Sequence, residues 1–418
     1  MPLPDLPVEL LESILENLNS ERSISAFSRA NHHLHNLLTG HLYRHNARWC
    51  GSSALFWAAR QGREETVRKA LRWGADVQDG NADINAQGGY YGNALQAAST
   101  HGHEKIVQLL INKNANVNAQ GGYFGNALQA ASAEGHEKVV QLLIENNADV
   151  NAQGGYLGSA LQAASRFGHE KVVQLLIEKN ADVKAQGGKY RNALQAASAG
   201  DNEKIVQLLL DKNADINAEG GHFGNALQAA SAHGHEKIVQ LLLDKNADVN
   251  AQGGEYGNAL DAASAHGHDT IVQLLINKNA DVNAHGGYFG NALQQASAAG
   301  YDTIVQLLLD KNADVNAQGG YYGNALQAAS THGHEKIVQL LINKNANVNA
   351  QGGYFGNALQ AASAAGHEKI VQLLIENNAD VNAEGGEYGS ALQAASAAGH
   401  EKIVQLLLDR NADGAGQA

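Results

Sequence analysis

The sequence predicts an all-α solenoid: helix–turn–helix units stacked in a row with glycine-rich hairpin fingers, behind a small helical head. Three observations predict it. A phrase of the form GGYFGNALQAAS returns at a fixed interval, so that Leu95, Leu128, Leu161, Leu194, Leu227, Leu260, Leu293, Leu326, Leu359 and Leu392 follow one another every 33 residues. A period of this size marks supersecondary units that pack only on their neighbours. Each unit also carries two short apolar patterns at helical spacing. Finally, the prolines are confined to Pro2, Pro4 and Pro7, so no later helix is broken by one.

Residues 1–50 lack the period. Leu6 to Leu18, LPVELLESILENL, reads as a proline-started amphipathic helix with Leu10, Leu11, Ile14, Leu15 and Leu18 on its apolar face. Ser20 can cap a second helix carrying Ile24 and Phe27. A third follows around His33–Leu38, and after Gly40 a further helical stretch reaches Trp49. The LPxELLxxILxxL start resembles an F-box. In the second half, where that family tends to have Val-Cys-basic-x-Trp, this chain has Ala30-Asn31-His32-His33-Leu34. The resemblance implies docking onto the Skp-type adaptor of a cullin–RING ubiquitin ligase, with Leu6, Pro7, Leu10, Leu11, Ile14 and Leu15 as adaptor contacts. The alternative is that these helices only cap the array and bury its first helix pair, which a terminal repeat needs.

Residues 51–87 read as a divergent first unit. Ser53–Ala59 aligns with the phrase and Trp73–Val77 with the unit's end, and the 40 residues from Leu55 to Leu95 place seven extra residues at this junction. Residues 88–418 hold ten regular units. In 88–120, Asn93 has the side chain of an N-cap, and Ser159 and Ser390 take its place in two other units. A first, alanine-rich helix should run Ala94–Thr100 and end at Gly102 in the left-handed conformation. A second should run Glu104–Asn112, with Ile106, Val107, Leu109 and Leu110 as its stripe and Asn114 as a left-handed cap. A glycine-rich finger then leads to the next unit. This plan, with its GHEKIVQLL and ADVNA phrases, resembles the ankyrin repeat from residue 51 to about 415. The family's Thr-Pro-Leu-His appears as Asn126-Ala127-Leu128-Gln129, in the manner of ankyrin arrays of filamentous fungi.

Comparing the units separates scaffold from variable surface. The second finger residue is always large and apolar or aromatic, from Tyr91 and Phe124 to Tyr388, which predicts packing. The residue before it varies: Tyr90, Tyr123, Tyr156, Lys189, His222, Glu255, Tyr288, Tyr321, Tyr354 and Glu387. The end of the first helix varies too, and in one unit it is Arg166-Phe167. The resemblance implies that finger tips and first-helix ends line a concave partner-binding groove, for which tyrosine is a suitable anchor. Lys184 follows in the same unit, and the next unit begins with Lys189 and with Arg191, which replaces a glycine found in the other nine. This predicts a local basic patch for an acidic partner segment. Units 88–120 and 319–351 are identical, and 121–153 and 352–384 differ at three positions, so a seven-unit block reads as copied. The last unit keeps Ile403, Val404 and Leu407, which predicts either fraying or a covering contact.

Composition bounds the rest. A net charge of −13 argues against general nucleic-acid or anionic-membrane binding. One cysteine, Cys50, and no leader or long apolar run point to an intracellular setting, cytoplasmic or nuclear. Eight of the 19 histidines share one slot after glycine, which reads as structural. His32, His33, His35, His41, His45 and Cys50 cluster in sequence but match no zinc spacing. A metal-dependent enzyme centred there is the alternative from another class. GGYYGNA lacks the Lys-Ser/Thr of a phosphate loop. The expectation is a non-catalytic protein-binding adaptor, without metal or cofactor: a ubiquitin-ligase substrate receptor or, alternatively, a scaffold or sensor with a capping head.

Overall fold

The computed structural model describes residues 53–74, 84–284 and 286–410. The head, with Leu6, Pro7, Leu10, Leu11, Ile14, Leu15 and the histidine cluster, lies outside the described residues. The described chain is all-helical, with 22 helices, and it divides into two compact units, one ending at Ala193 and the other beginning at Leu194. Each is a stack of helix pairs.

One repeat explains the rest. Asn126 is extended, and its Oδ1 accepts the Gln129 amide at 2.9 Å, satisfying one of the free amides of the helix Ala127–Ala133. Where Ser159 replaces asparagine, its hydroxyl accepts from Gln162 N at 3.2 Å. Gly135, at φ 74°, turns the chain into the second helix, Glu137–Glu145. Asn147, at φ 65°, ends that helix as the left-handed cap expected of Asn114 and its equivalents. The helices Ala94–Thr100 and Glu104–Asn112 have the predicted bounds.

The first helices pack closely on one another because their facing residues are small. Ala130 and Ala131 are fully buried, and no branched side chain holds the neighbouring backbone away. Leu128, 1% exposed, fills the space beside them and contributes about 1.5–3 kcal/mol by burial. Val139, Val140 and Leu143 bury the inner side of the second helix. The last repeat keeps both helices, Ala391–Ala397 and Glu401–Leu408, with Leu407 buried and Leu408 exposed.

Three polar links join successive repeats. The first is glutamine: Gln129 Nε2 donates to Gly158 O at 2.7 Å and to Ala152 O at 3.1 Å in the next finger. The second is histidine: His136 Nε2 pairs with Thr100 O of the repeat before, at 2.9 Å. The third is asparagine: Asn118 Oδ1 accepts Asp149 N at 2.8 Å and its Nδ2 donates to Asn147 O at 3.0 Å. These links satisfy backbone groups that a stack of short helices would otherwise leave open.

The fingers are tighter than the expected hairpins. Each holds one isolated antiparallel bridge, such as Gly121 to Gly125, and no ladder forms among the described residues. The positive φ of Gly122, 64°, and the approach of Tyr91 C to within 2.5 Å of where its Cβ would lie leave room only for glycine.

Candidate protein-binding face

The finger tips are joined edge to edge. Tyr123 N donates to Tyr90 O at 2.7 Å, Tyr156 N to Tyr123 O at 2.8 Å and Lys189 N to Tyr156 O at 3.0 Å. In the second unit Glu255 N bonds His222 O, Tyr321 N bonds Tyr288 O, Tyr354 N bonds Tyr321 O and Glu387 N bonds Tyr354 O, at 3.0–3.1 Å. Adjacent fingers therefore hold each other in register.

That spacing makes the side chains of the variable slot meet. Tyr90 stacks on Tyr123 at 4.9 Å between ring centroids, Tyr123 on Tyr156 at 5.1 Å, and Lys189 Nζ lies 5.5 Å from the Tyr156 centroid. Tyr288, Tyr321 and Tyr354 repeat the arrangement at 5.8 and 5.3 Å. His222 meets Glu255 at 3.2 Å. In sequence these are separate outward letters, whereas the structure makes them pairs and columns. Tyr90, Tyr156, Tyr288, Tyr354, His222, Glu255 and Glu387 are exposed, and Tyr123, Tyr321 and Lys189 are half-buried within their stacks. Burial, with Tyr90 and Tyr156 beside it, raises the Tyr123 phenol above its ordinary value. The Glu387 carboxylate raises Tyr354.

The second finger residue packs inward as expected, though to varying degree. Phe124, Leu157, Tyr190 and Phe223 are buried, whereas Tyr388 is 38% exposed.

At the patch, Arg166 Nε donates to Tyr190 OH at 2.7 Å, and its Cζ lies 5.4 Å from the Tyr190 centroid and 5.9 Å from that of Phe167. Lys189 Nζ sits 5.8 Å from the Tyr190 centroid, and a hydrogen bond with Tyr156 raises its pKa. Arg191 is half-buried at φ 69°. Lys184 belongs to the asparagine slot, and its backbone amide bonds Asp182.

The histidine slot is tied to the backbone of the neighbouring repeat. His103, His136 and His169 each place Nε2 on a backbone carbonyl of the repeat before, at 2.8–3.1 Å. No group of three metal-ligating side chains occurs among the described residues. No helix among them is long and apolar enough to cross a membrane.

Stacked helix pairs, polar inter-repeat links and a row of finger tips define a repeat-solenoid binding protein. The family model "Ankyrin repeats (3 copies)" matches residues 23–121, 77–154, 128–220, 160–253, 194–286, 260–352 and 326–417, and the chain belongs to the ankyrin-repeat family. The first match begins at residue 23, inside the segment read as the head. "Azaphilone pigments biosynthesis cluster protein L" of Monascus ruber is similar, 49% identical over 61 residues. That region is 15% of this chain and 13% of that protein, so the likeness spans a small part of the relative's length.

Proposed function

We propose that the chain is a non-catalytic adaptor that holds a protein target on its finger tips and first-helix ends. The observation that carries this reading is the exposed tyrosines of each unit, Tyr90 and Tyr156 in the first and Tyr288 and Tyr354 in the second, each pair set in a row of fingers tied to one another through their backbones. Such a row offers rigid amphipathic anchors at low entropic cost. In the fuller form of the proposal, Leu6, Pro7, Leu10, Leu11, Ile14 and Leu15 bind a Skp-type adaptor, and the array brings the target to a ubiquitin ligase by raising its effective concentration. A family match that begins at residue 23 favours the second reading, in which the head caps the array.

Two measurements test this. The full chain, immobilised, should retain a defined set of proteins, and replacing Tyr90, Tyr156, Tyr288 and Tyr354 by alanine should release it. Retention indifferent to those substitutions rejects the finger-tip reading. Purified Skp-type adaptor should bind the full chain and lose an Ile14→Asp variant. Equal or absent binding leaves the capping reading.

A further inference from the structure

Two adjoining repeats carry, between residues 160 and 191, four side chains that the scaffold does not need. Other repeats place alanine or threonine at the slot of Arg166, histidine, glutamate, alanine or glycine at that of Phe167, and mostly tyrosine at that of Lys189, and all nine others place glycine at that of Arg191. Those repeats fold into the same helices and fingers, so stacking does not explain this set. Arg191 is costly where it stands. It occupies the left-handed region at φ 69°, and its Nε is buried with no hydrogen-bond partner. A residue held in an unfavourable conformation is grounds for seeking a function. At the residue before it in the chain, two cations lie near one buried ring: Arg166 Cζ and Lys189 Nζ are 5.4 and 5.8 Å from the centroid of Tyr190. Phe167, 51% exposed, stands next to Arg166.

Resting on the adaptor reading, we infer that this patch binds an acidic peptide segment carrying an apolar side chain, its carboxylates between Arg166, Lys189 and Arg191 and its apolar residue on Phe167. Charge complementarity selects this occupant: the cations gather on a chain of net charge −13, which draws a short acidic segment locally and repels a long polyanion. The exposed phenyl ring gives the apolar half of the specificity.

Substitutions taken from the other repeats test the patch without threatening the fold. The probe is a short fluorescein-labelled peptide of alternating glutamate and leucine, titrated against the full chain. Arg166→Ala with Lys189→Tyr should weaken it about tenfold or more. Phe167→His should weaken it while leaving the binding of oligoglutamate unchanged, and Arg191→Gly should weaken it while raising the melting temperature. A glutamine–leucine peptide should bind less. Equal binding by all variants overturns the inference, as does equal binding of the glutamine–leucine peptide or equal competition by a single-stranded oligonucleotide. If the full chain still retains its protein partners through the tyrosine columns, failure here removes only the acidic-peptide inference. Failure of that retention removes the adaptor reading.

Discussion

Tyr123 lies almost flat on Tyr90, with planes 15° apart and centroids at 4.9 Å, and its amide donates to the Tyr90 carbonyl at 2.7 Å. Backbone pairing thus sets the ring spacing, and the stack in turn holds two fingers together. Aromatic pairs contribute about 0.5–1.5 kcal/mol beyond area burial. A double-mutant cycle of Tyr90→Ala and Tyr123→Ala should return a coupling of about that size in urea unfolding. A coupling near zero would show that the column is held by backbone alone.

The glycine–histidine pair makes a second prediction. A Cβ on Gly102 would lie 2.7 Å from His136 Cε1, and Gly102 sits at φ 69°. Gly102→Ala therefore meets two costs, about 1–2 kcal/mol of left-handed strain and the clash. Gly399, at φ 74°, has no described atom within 4 Å of such a Cβ, so Gly399→Ala meets strain alone. Gly102→Ala should destabilise more, and adding His136→Ala should recover only the clash. Equal losses at the two glycines would refute the steric account.

Arg191→Gly tests the cost of the unusual letter directly. It relieves the strain at φ 69° and removes a buried Nε that has no partner. Chemical denaturation should show a gain of about 1 kcal/mol. A loss would mean that Arg191 stabilises the finger by a route other than its backbone.

The period made the helices, caps and inward finger residues legible, because each repeats until its role is plain. Asn114 is one example, since position alone assigned it the left-handed cap found at φ 65°. The links between repeats were less legible. The constancy of glutamine at the Gln129 slot was visible, but its donors act on carbonyls 23 and 29 residues ahead, at Ala152 and Gly158. No local pattern displays such a reach. The tyrosine columns were hidden for a related reason. Variation at Tyr123 or Lys189 suggested independent surface letters, and only the pairing of finger backbones brings neighbouring letters together. Asp261 is the one departure from glutamine among ten repeats, and Gln295 stands where the others have alanine, a pair of signals that the sequence does display.

These two departures belong together. Asp261 is 1% exposed, with Asn258 Nδ2 donating to it at 2.7 Å, and as a carboxylate it has no donor for the next finger. There the bridge shifts to Gly287 and Gly290, and Gln295 Nε2 donates to Gly290 O at 2.9 Å and Tyr256 O at 3.2 Å. Gln295 thus supplies from within its own repeat the donor that Asp261 cannot. Burial pushes the Asp261 carboxyl well above its usual range, against the opposing amide of Ala292. The sign follows: a carboxyl with a raised folded pKa favours folding fully below its unfolded value, about 3.9, and that contribution is lost as pH rises through the folded pKa. Asp261→Asn removes the titration. Its urea midpoint should approach that of the parent chain as pH falls toward about 4 and exceed it at pH 8. A difference that stays constant with pH would show that Asp261 is not the titrating group. Gln295→Ala should lower stability at every pH, because Gly290 O then loses its donor.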